Sequence, residues 1–451
     1  MGFSKDFVWG AAAASYQIEG AAFEDGKGLS VWDMFCRKKE AIKNNDTGEI
    51  ACNHYHRYKE DVKIMKEIGL QAYRLSISWP RVLPNGTGSI NEKGLEFYDN
   101  LIDELLVNDI EPYVTLFHWD FPYELYKKGG WLNPSSSDWF AEYAKIIVDR
   151  LSDRVKNWFT INEPQVFISL GHQDGVHAPG LKLSMDDILQ ISHNVLLAHG
   201  KAVRVIRDNS VQDCRIGMAP TGYPVMPFEK TQENIEIARK SNFVVNEDNE
   251  LWSIAWWMDP VFKGYYPEDG LKRYKENMPD IKDGDMEIIS QALDFFGINI
   301  YHGSKLGLDY DGKPYLAEKK KGDARTAFNW PVTDEALYWG AKFYYERYGK
   351  PVIITENGMS NIDWISLDEK VHDPQRIDFL SRYLKGFKKA GEEGVDIGGY
   401  FHWSIMDNFE WAYGYQERFG LIHVNFETGE RIIKDSGHWY KKLIESNGQH
   451  L

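Results

Sequence analysis

Two stretches of this 451-residue chain place a carboxylate at the end of an apolar run. Val352-Ile353-Ile354-Thr355-Glu356-Asn357-Gly358 is nearly continuous in β-branched residues, the pattern of a parallel strand covered on both faces, and it delivers Glu356 to its end. Asn157-Trp158-Phe159-Thr160-Ile161-Asn162-Glu163-Pro164 does the same for Glu163. Gly358 reads as the residue that lets the chain turn away sharply beyond the acid. One such strand says little, because apolar strands end in acids for many reasons; two suggest a pair. Two carboxyls on facing strand ends suit cleavage of a glycosidic bond, which needs one acid to protonate the leaving oxygen and one carboxylate to stabilise or capture an oxocarbenium-like carbon. Arg74, a charge inside an alternating strand, and Tyr301, just past another, would hold one carboxylate ionised. An acid without such partners keeps a higher pKa. The sequence leaves open which glutamate the arginine serves.

For these groups to meet, the strands that carry them must converge. A first strand is expected within Asp6 to Ala14, with Gln17 just past its end. A helix at about His54 to Gly69 follows, with apolar residues at spacings of three and four and Gly69 as its C-terminal cap. The alternation continues with a strand Gln71 to Trp79, a helix Asn91 to Asn108, a strand Glu111 to Phe117 ending at His118-Trp119-Asp120, and a helix Trp139 to Leu151. Beyond the Glu163 strand come a helix His193 to Asp208, a strand Arg215 to Pro220, and one long helical region from Gln232 to Tyr265. A strand Asp294 to Asn299, a helix Glu335 to Tyr348, the Glu356 strand, a helix Gln375 to Glu392 and a strand Val395 to Trp403 complete the series. Eight strands alternating with helices predict an α/β chain folded as a single-domain (β/α)8 TIM barrel over residues 1–451, with chemistry where the C-terminal strand ends meet. The connection His302 to Pro331 holds a hairpin signal at Asp311-Gly312 and a basic run, Lys319-Lys320-Lys321, read as a solvated turn.

Bulk properties narrow the classes. Hydrophobic residues at 43% and 16 tryptophans support a large core and argue against disorder. A net charge of -16 repels phosphate backbones and anionic membrane surfaces, so neither nucleic acid nor membrane is an expected partner. The N-terminal residues lack a basic region followed by an apolar core, and no run of about 18 apolar residues occurs. A cytoplasmic location is expected. Cys36, Cys52 and Cys214 are odd in number and not spaced as metal ligands, so free thiols are expected, with no metal and no cofactor. Assembly into a homo-oligomer is left open.

The motifs together resemble those of the glycoside hydrolase family 1 β-glycosidases, across essentially the whole chain. The likeness runs through Phe7-Val8-Trp9-Gly10, Ser15-Tyr16-Gln17-Ile18-Glu19-Gly20, Tyr73-Arg74, His118-Trp119, Asn162-Glu163-Pro164, Thr355-Glu356-Asn357-Gly358 and Trp403-Ser404-Ile405-Met406-Asp407-Asn408-Phe409-Glu410-Trp411. It implies a retaining mechanism, with Glu163 as acid/base, Glu356 as nucleophile, and Arg74, Asn299 and Tyr301 around the nucleophile. It implies further that Gln17, His118, Asn162, Glu410 and Trp411 hydrogen-bond the hydroxyls of the non-reducing sugar, that Trp403 lies under its ring, and that Trp330 lies on the leaving-group side. Trp119 and Phe419 are counted with these as substrate-binding positions. The substrate so implied is a small β-glucoside or cello-oligosaccharide, with glucose, galactose and fucose not distinguished.

Two departures stand out. Where members usually carry an aromatic residue after Asn-Glu-Pro, this chain has Gln165; where many have Leu-Asn after the fifth strand, it has Ala219-Pro220-Thr221. Both fall on the leaving-group side. Among relatives, a 6-phospho-β-glycosidase replaces the last acid with serine and adds a lysine and a tyrosine for phosphate. Here Glu410 holds the serine position, and Glu417 and Phe419 fall in the region of the lysine and tyrosine. A non-catalytic sugar-binding relative or a thioglucosidase loses a catalytic glutamate, and both are present. Transfer of the sugar to an alcohol shares every catalytic residue.

Overall fold

The computed structural model describes residues 2–317 and 320–451. Eight parallel strands form one continuous ladder: β1 (Val8–Ala12), β2 (Ala72–Ser76), β3 (Glu111–Phe117), β4 (Asn157–Asn162), β5 (Arg215–Ala219), β6 (Phe296–Ile300), β7 (Val352–Asn357) and β8 (Ile397–Trp403). Each pairs with its sequence neighbour, and β1 pairs with β8. The remaining seam, between β5 and β6, is bridged after Pro220. There the chain leaves β4, and Thr221–Gly222 pairs in parallel with Asn299 and Ile300 of β6. A (β/α)8 TIM barrel results.

Helices α1 (His54–Ile68), α2 (Glu92–Val107), α3 (Ser136–Leu151), α4 (Met185–Asn209), α5 (Gln232–Ser241), α6 (Ile254–Lys263), α7 (Ala336–Tyr348), α8 (Pro374–Glu392) and α9 (Asp435–Glu445) accompany the strands. Gly69 caps α1 in the left-handed conformation, as its place in the sequence suggests. Every residue of β7 is buried, in keeping with its unbroken β-branched run.

Three expectations change. The helical region Gln232 to Tyr265 is two helices, because Asn242, Asn246 and Asn249 spend their side chains on nearby backbone groups and so compete with helix continuation. The helix expected from His193 starts two turns earlier, at Met185, where the Ser184 hydroxyl accepts from the Asp187 N–H. Gly358 is not in the left-handed region; glycine is required there because an added Cβ would lie 1.9 Å from the Trp403 carbonyl oxygen, so the chain beyond Glu356 passes against the end of β8.

The Asp311-Gly312 signal does mark a hairpin, Ser304–Leu308 with Pro314–Leu316. Lys319 lies outside the described residues, and Lys320 and Lys321 are exposed. The three cysteines are unpaired with one another. No helix among the described residues is long and apolar enough to cross a membrane, and none of their His, Cys, Asp and Glu side chains are grouped to hold a metal ion.

The loop after β8 carries Glu410 and Trp411, and a buried ionic cluster anchors it. Asp407 accepts from Lys434 Nζ at 2.6 Å, from Arg418 at 2.6 Å and from the Gly420 N–H at 3.0 Å. Lys434 also reaches Asp363 at 2.6 Å, and Arg376 reaches Asp363 at 2.7 Å. Burial alone would push Asp363 up, but Lys434 and Arg376 outweigh it and bring it to about 2. Lys434→Met should therefore leave two buried carboxylates short of a cation and destabilise the fold by about 3–5 kcal/mol in urea denaturation. A loss below about 1 kcal/mol would show that Lys434 is not what holds the loop.

Candidate active site

The carboxyl-bearing ends of the strands converge on Arg74. From β2 its Nη1 donates to Glu356 Oε1 at 2.6 Å and to the Thr355 carbonyl at 3.2 Å, both on β7. Its Nη2 donates to Asn162 Oδ1 on β4 at 2.6 Å, and its Nε to Thr115 Oγ1 on β3 at 3.2 Å. The guanidinium lies over the Phe159 ring, 5.1 Å from its centroid. One buried cation thus ties four strands together. Tyr301 closes the other side of Glu356, its hydroxyl donating to Oε2 at 2.7 Å.

Glu163 sits in a different setting. Asn299 Nδ2 donates to its Oε1 at 2.9 Å and to Asn162 Oδ1 at 3.1 Å, while Asn299 Oδ1 accepts from Thr355 Oγ1 at 2.5 Å. Asn299 therefore links the two acid-bearing strand ends. No cation contacts Glu163 directly among the described hydrogen bonds and ion pairs. Burial, then the charge of Glu356, push its carboxyl up to about 8. Burial pushes Glu356 up as well, opposed there by the Arg74 charge and by hydrogen bonds from Tyr301, Arg74 and Asn299. The environments drive the pair apart: the shared proton belongs on Glu163, and Glu356 is the ionised member. The arginine's partner, open in the sequence, is Glu356.

A second group of residues lines the cleft beside the pair. Asn162 Nδ2 donates to His118 Nε2 at 3.1 Å, which assigns the ring proton to Nδ1. Burial and then the Arg74 charge hold His118 well below its usual range, so the ring is neutral. Gln17, in a one-turn helix after β1, donates through Nε2 to Asn408 Oδ1 at 3.0 Å and to the Phe409 carbonyl at 2.9 Å. Its Oε1 is buried with no protein partner. Glu410 lies 3.4 Å from the same Nε2 and is pushed up to about 8, by burial first and then by the charges of Glu356, Glu417 and Glu163.

Aromatic rings complete the wall. The His118 ring is nearly parallel to Trp403 and to Trp411, at 5.8 and 6.0 Å. Trp119 packs on Trp411 at 4.5 Å and donates its indole N–H to the Asn162 carbonyl at 3.1 Å, so it props the site from behind. On the opposite side Trp330 packs against Tyr301 at 5.1 Å and Phe419 at 6.0 Å. Glu163, Trp119 and Trp411 all have positive φ, at 43°, 80° and 49°. For side chains of this size that conformation is unfavourable, by about 1–3 kcal/mol each, and it persists only where surrounding contacts impose it.

The structure thus brings all the sequence-selected residues to one end of the barrel. Sequence reasoning passed over Thr115, Thr355 and Asn408, which hold Arg74, Asn299 and Gln17. Thr355 and Asn408 lie inside the quoted motifs, so their signal was present; Thr115 carries none. Phe328 also belongs to the rim, 4.5 Å from Trp330 and 4.3 Å from Tyr413.

Comparison with known proteins bears on this arrangement. The Glycosyl hydrolase family 1 profile matches residues 1–449. The chain is 46% identical over 455 residues to "Beta-glucosidase A" of Acetivibrio thermocellus, covering 99% of each. It is 44% identical over 448 residues to "Beta-glucosidase A" of Thermotoga maritima, covering 99% of this chain and 98% of the relative. A solved structure of a Thermotoga maritima β-glucosidase in complex with glucoimidazole superposes with a TM-score of 0.91 at 43% identity, covering 99% of each chain.

Arg74→Met removes the cation and leaves Glu356 facing burial with only neutral donors. The lower titration of the carboxyl pair, followed by its infrared bands, should rise by roughly one to three pH units. An unmoved lower titration would show that the guanidinium does not hold Glu356 ionised.

Proposed function

Since this chain belongs to glycosyl hydrolase family 1, we propose that Glu163 and Glu356 run its chemistry as a retaining pair. The protein is a β-glucosidase, which hydrolyses the terminal non-reducing β-D-glucosyl residue of β-glucosides. The observation that supports the division of roles is the asymmetry of the two carboxyls: Glu356 is gripped by Arg74 at 2.6 Å and Tyr301 at 2.7 Å, whereas Glu163 receives only neutral donors.

In the first step the Glu356 carboxylate attacks the anomeric carbon, the bond to the leaving oxygen breaks, and that oxygen takes the proton of Glu163. A covalent glycosyl ester forms with inverted configuration. Glu163, now ionised, takes a proton from water as the water oxygen attacks the same carbon and releases Glu356. Two inversions return the β configuration. The sugar is held by Gln17, His118, Asn162, Glu410 and Trp411. The free Gln17 Oε1 and the remaining Asn162 N–H are open to hydroxyls, and the Trp403 indole offers a flat face to the ring. Trp330 and Phe419 border the leaving-group side.

Residues 1–451 are read as one catalytic domain, because the barrel strands run from Val8 to Trp403 and α9 packs back on α1 and α8, its Tyr440 hydroxyl donating to the Gly10 carbonyl of β1 at 2.8 Å. A role in the last steps of cellulose breakdown draws support from a Thermotoga neapolitana relative named "1,4-beta-D-glucan glucohydrolase", 44% identical over 448 residues; failure to release glucose from cellobiose would overturn it. A cytoplasmic location fits the unpaired cysteines, and recovery of the enzyme outside the cell membrane would exclude it.

Glu163→Ala should cost little in glycosylation by an activated aryl glucoside but roughly 10²–10⁴-fold for an alkyl glucoside, the usual worth of a general acid. Glu356→Gly should abolish hydrolysis of both, yet admit an α-glucosyl fluoride and pass its sugar to an acceptor. The wild-type product should be the β-anomer at first release by NMR. Release of the α-anomer would reject Glu356 as nucleophile, and equal losses for aryl and alkyl substrates would reject Glu163 as acid.

A phosphate at the sugar's C6 would enter a cleft where Glu356 is ionised and the acids Glu410 and Glu417 lie close by, with the buried Arg74 already engaged by Glu356. The enzyme should prefer the unphosphorylated glucoside by at least ~100-fold, about 3 kcal/mol. Comparable kcat/KM for a glucoside and its 6-phosphate would contradict this reading of Glu410 and Glu417.

A further inference from the structure

The two departures from the family pattern touch each other. Gln165, the second residue beyond Glu163, is wholly buried, and its side-chain amide faces the backbone of Thr221. Gln165 Nε2 donates to the Thr221 carbonyl at 3.0 Å, and Gln165 Oε1 accepts from the Thr221 N–H at 3.3 Å. The reason lies in the ladder. On one edge this segment belongs to β6, where the Asn299 N–H donates to the Pro220 carbonyl at 3.0 Å. The Thr221 N–H and C=O point the opposite way, toward β4, but β4 has ended at Asn162 and turned into the helix Pro164–Ile168. A buried backbone pair needs partners, and the Gln165 amide stands in for the missing strand.

The clamp has a chemical consequence. Thr221 lies beside Asn299 in register, and Asn299 donates to Glu163 Oε1. The Glu163 N–H donates to the Ala219 carbonyl at 2.8 Å, so the acid is tied to the same seam through its backbone. Neighbours in register on parallel strands project their side chains to the same face, so the Thr221 hydroxyl projects on the side from which Asn299 reaches the Glu163 carboxyl.

We propose that Thr221, held in place by the Gln165 amide, is a positioning residue for Glu163: its hydroxyl orients the acid's carboxyl and donates to the ionised form that must act as base in the second step. This rests on Glu163 being the acid/base. A donor to the ionised form favours ionisation, so losing the hydroxyl makes Glu163 a weaker acid. The other charged and titratable groups facing Glu163 are Glu356, Arg74, Tyr301 and Glu410, from β7, β2, the end of β6 and the loop after β8. They stay in place in the variants below.

The test is kcat/KM against pH for an aryl β-glucoside, with wild type, Thr221→Val, Thr221→Ser, Gln165→Met and, as control, Glu163→Gln. In Thr221→Val the basic limb should move up by roughly one pH unit while the acidic limb stays, since a hydrogen bond to a charged group has about that worth. Thr221→Ser, which keeps the hydroxyl, should restore the wild-type limb, and Gln165→Met should shift it in the same direction by less. A Thr221→Val limb that coincides with wild type, or a fall in kcat/KM uniform across pH, would reduce Thr221 to packing and overturn the proposal while leaving the role of Glu163 intact. A basic limb that survives in Glu163→Gln would overturn both.

Discussion

A guanidinium inside a barrel is tolerated only if its donors are answered and its charge is opposed, and Arg74 meets both conditions through partners on three other strands. Its partners are two threonine oxygens, an asparagine oxygen and the Glu356 carboxylate. Breaking a buried pair of this kind leaves an uncompensated charge, which is why the strand ends around it cannot drift independently. The register of β2, β3, β4 and β7 and the position of Glu356 are, in this sense, one constraint.

The asymmetry of the two glutamates follows from it. A single cation placed against one of two buried carboxyls lowers that one selectively, and the resulting negative charge then raises its neighbour. Asn299 keeps the two at a set geometry without favouring ionisation as strongly as a cation would. The same low-dielectric setting reaches further along the cleft: Glu410 gains its tendency to hold a proton from burial and from the charges of Glu356, Glu417 and Glu163. Moving one acid would alter the protonation of the others, so these groups behave as a connected set.

Around this centre the supporting structure lies beyond the residues that would meet a substrate. Thr355 orients Asn299, Asn408 orients Gln17, Trp119 props Asn162, and the Asp407 cluster holds the loop of Glu410 and Trp411 to Lys434 and, through Asp363, to Arg376 at the start of α8. The unfavourable backbone at Glu163, Trp119 and Trp411 is sustained by these contacts. Where a strand falls short, as β4 does opposite Thr221, a side-chain amide fills the vacant ladder positions.

Much of this was readable from residue order. Apolar periodicity and its breaks located the eight strands and most helices, because burial on two faces or one face leaves different repeats. The acids at strand ends, and the polar residues just past them, announced a site because a parallel barrel gathers those ends at one rim. What order alone could not settle depends on distance between segments far apart in the chain. The choice of Glu356 over Glu163 as Arg74's partner is decided by which strand end lies across from β2. The division of the helical region into α5 and α6 is decided by side-chain bonds of Asn242, Asn246 and Asn249 to nearby backbone. The need for glycine at 358 comes from the Trp403 carbonyl, 45 residues away, and not from a turn. Gln165 and Thr221 look in the sequence like two unrelated exceptions; only the tertiary structure makes them one hydrogen-bonded unit, because it alone shows which backbone groups the end of β4 leaves without a partner.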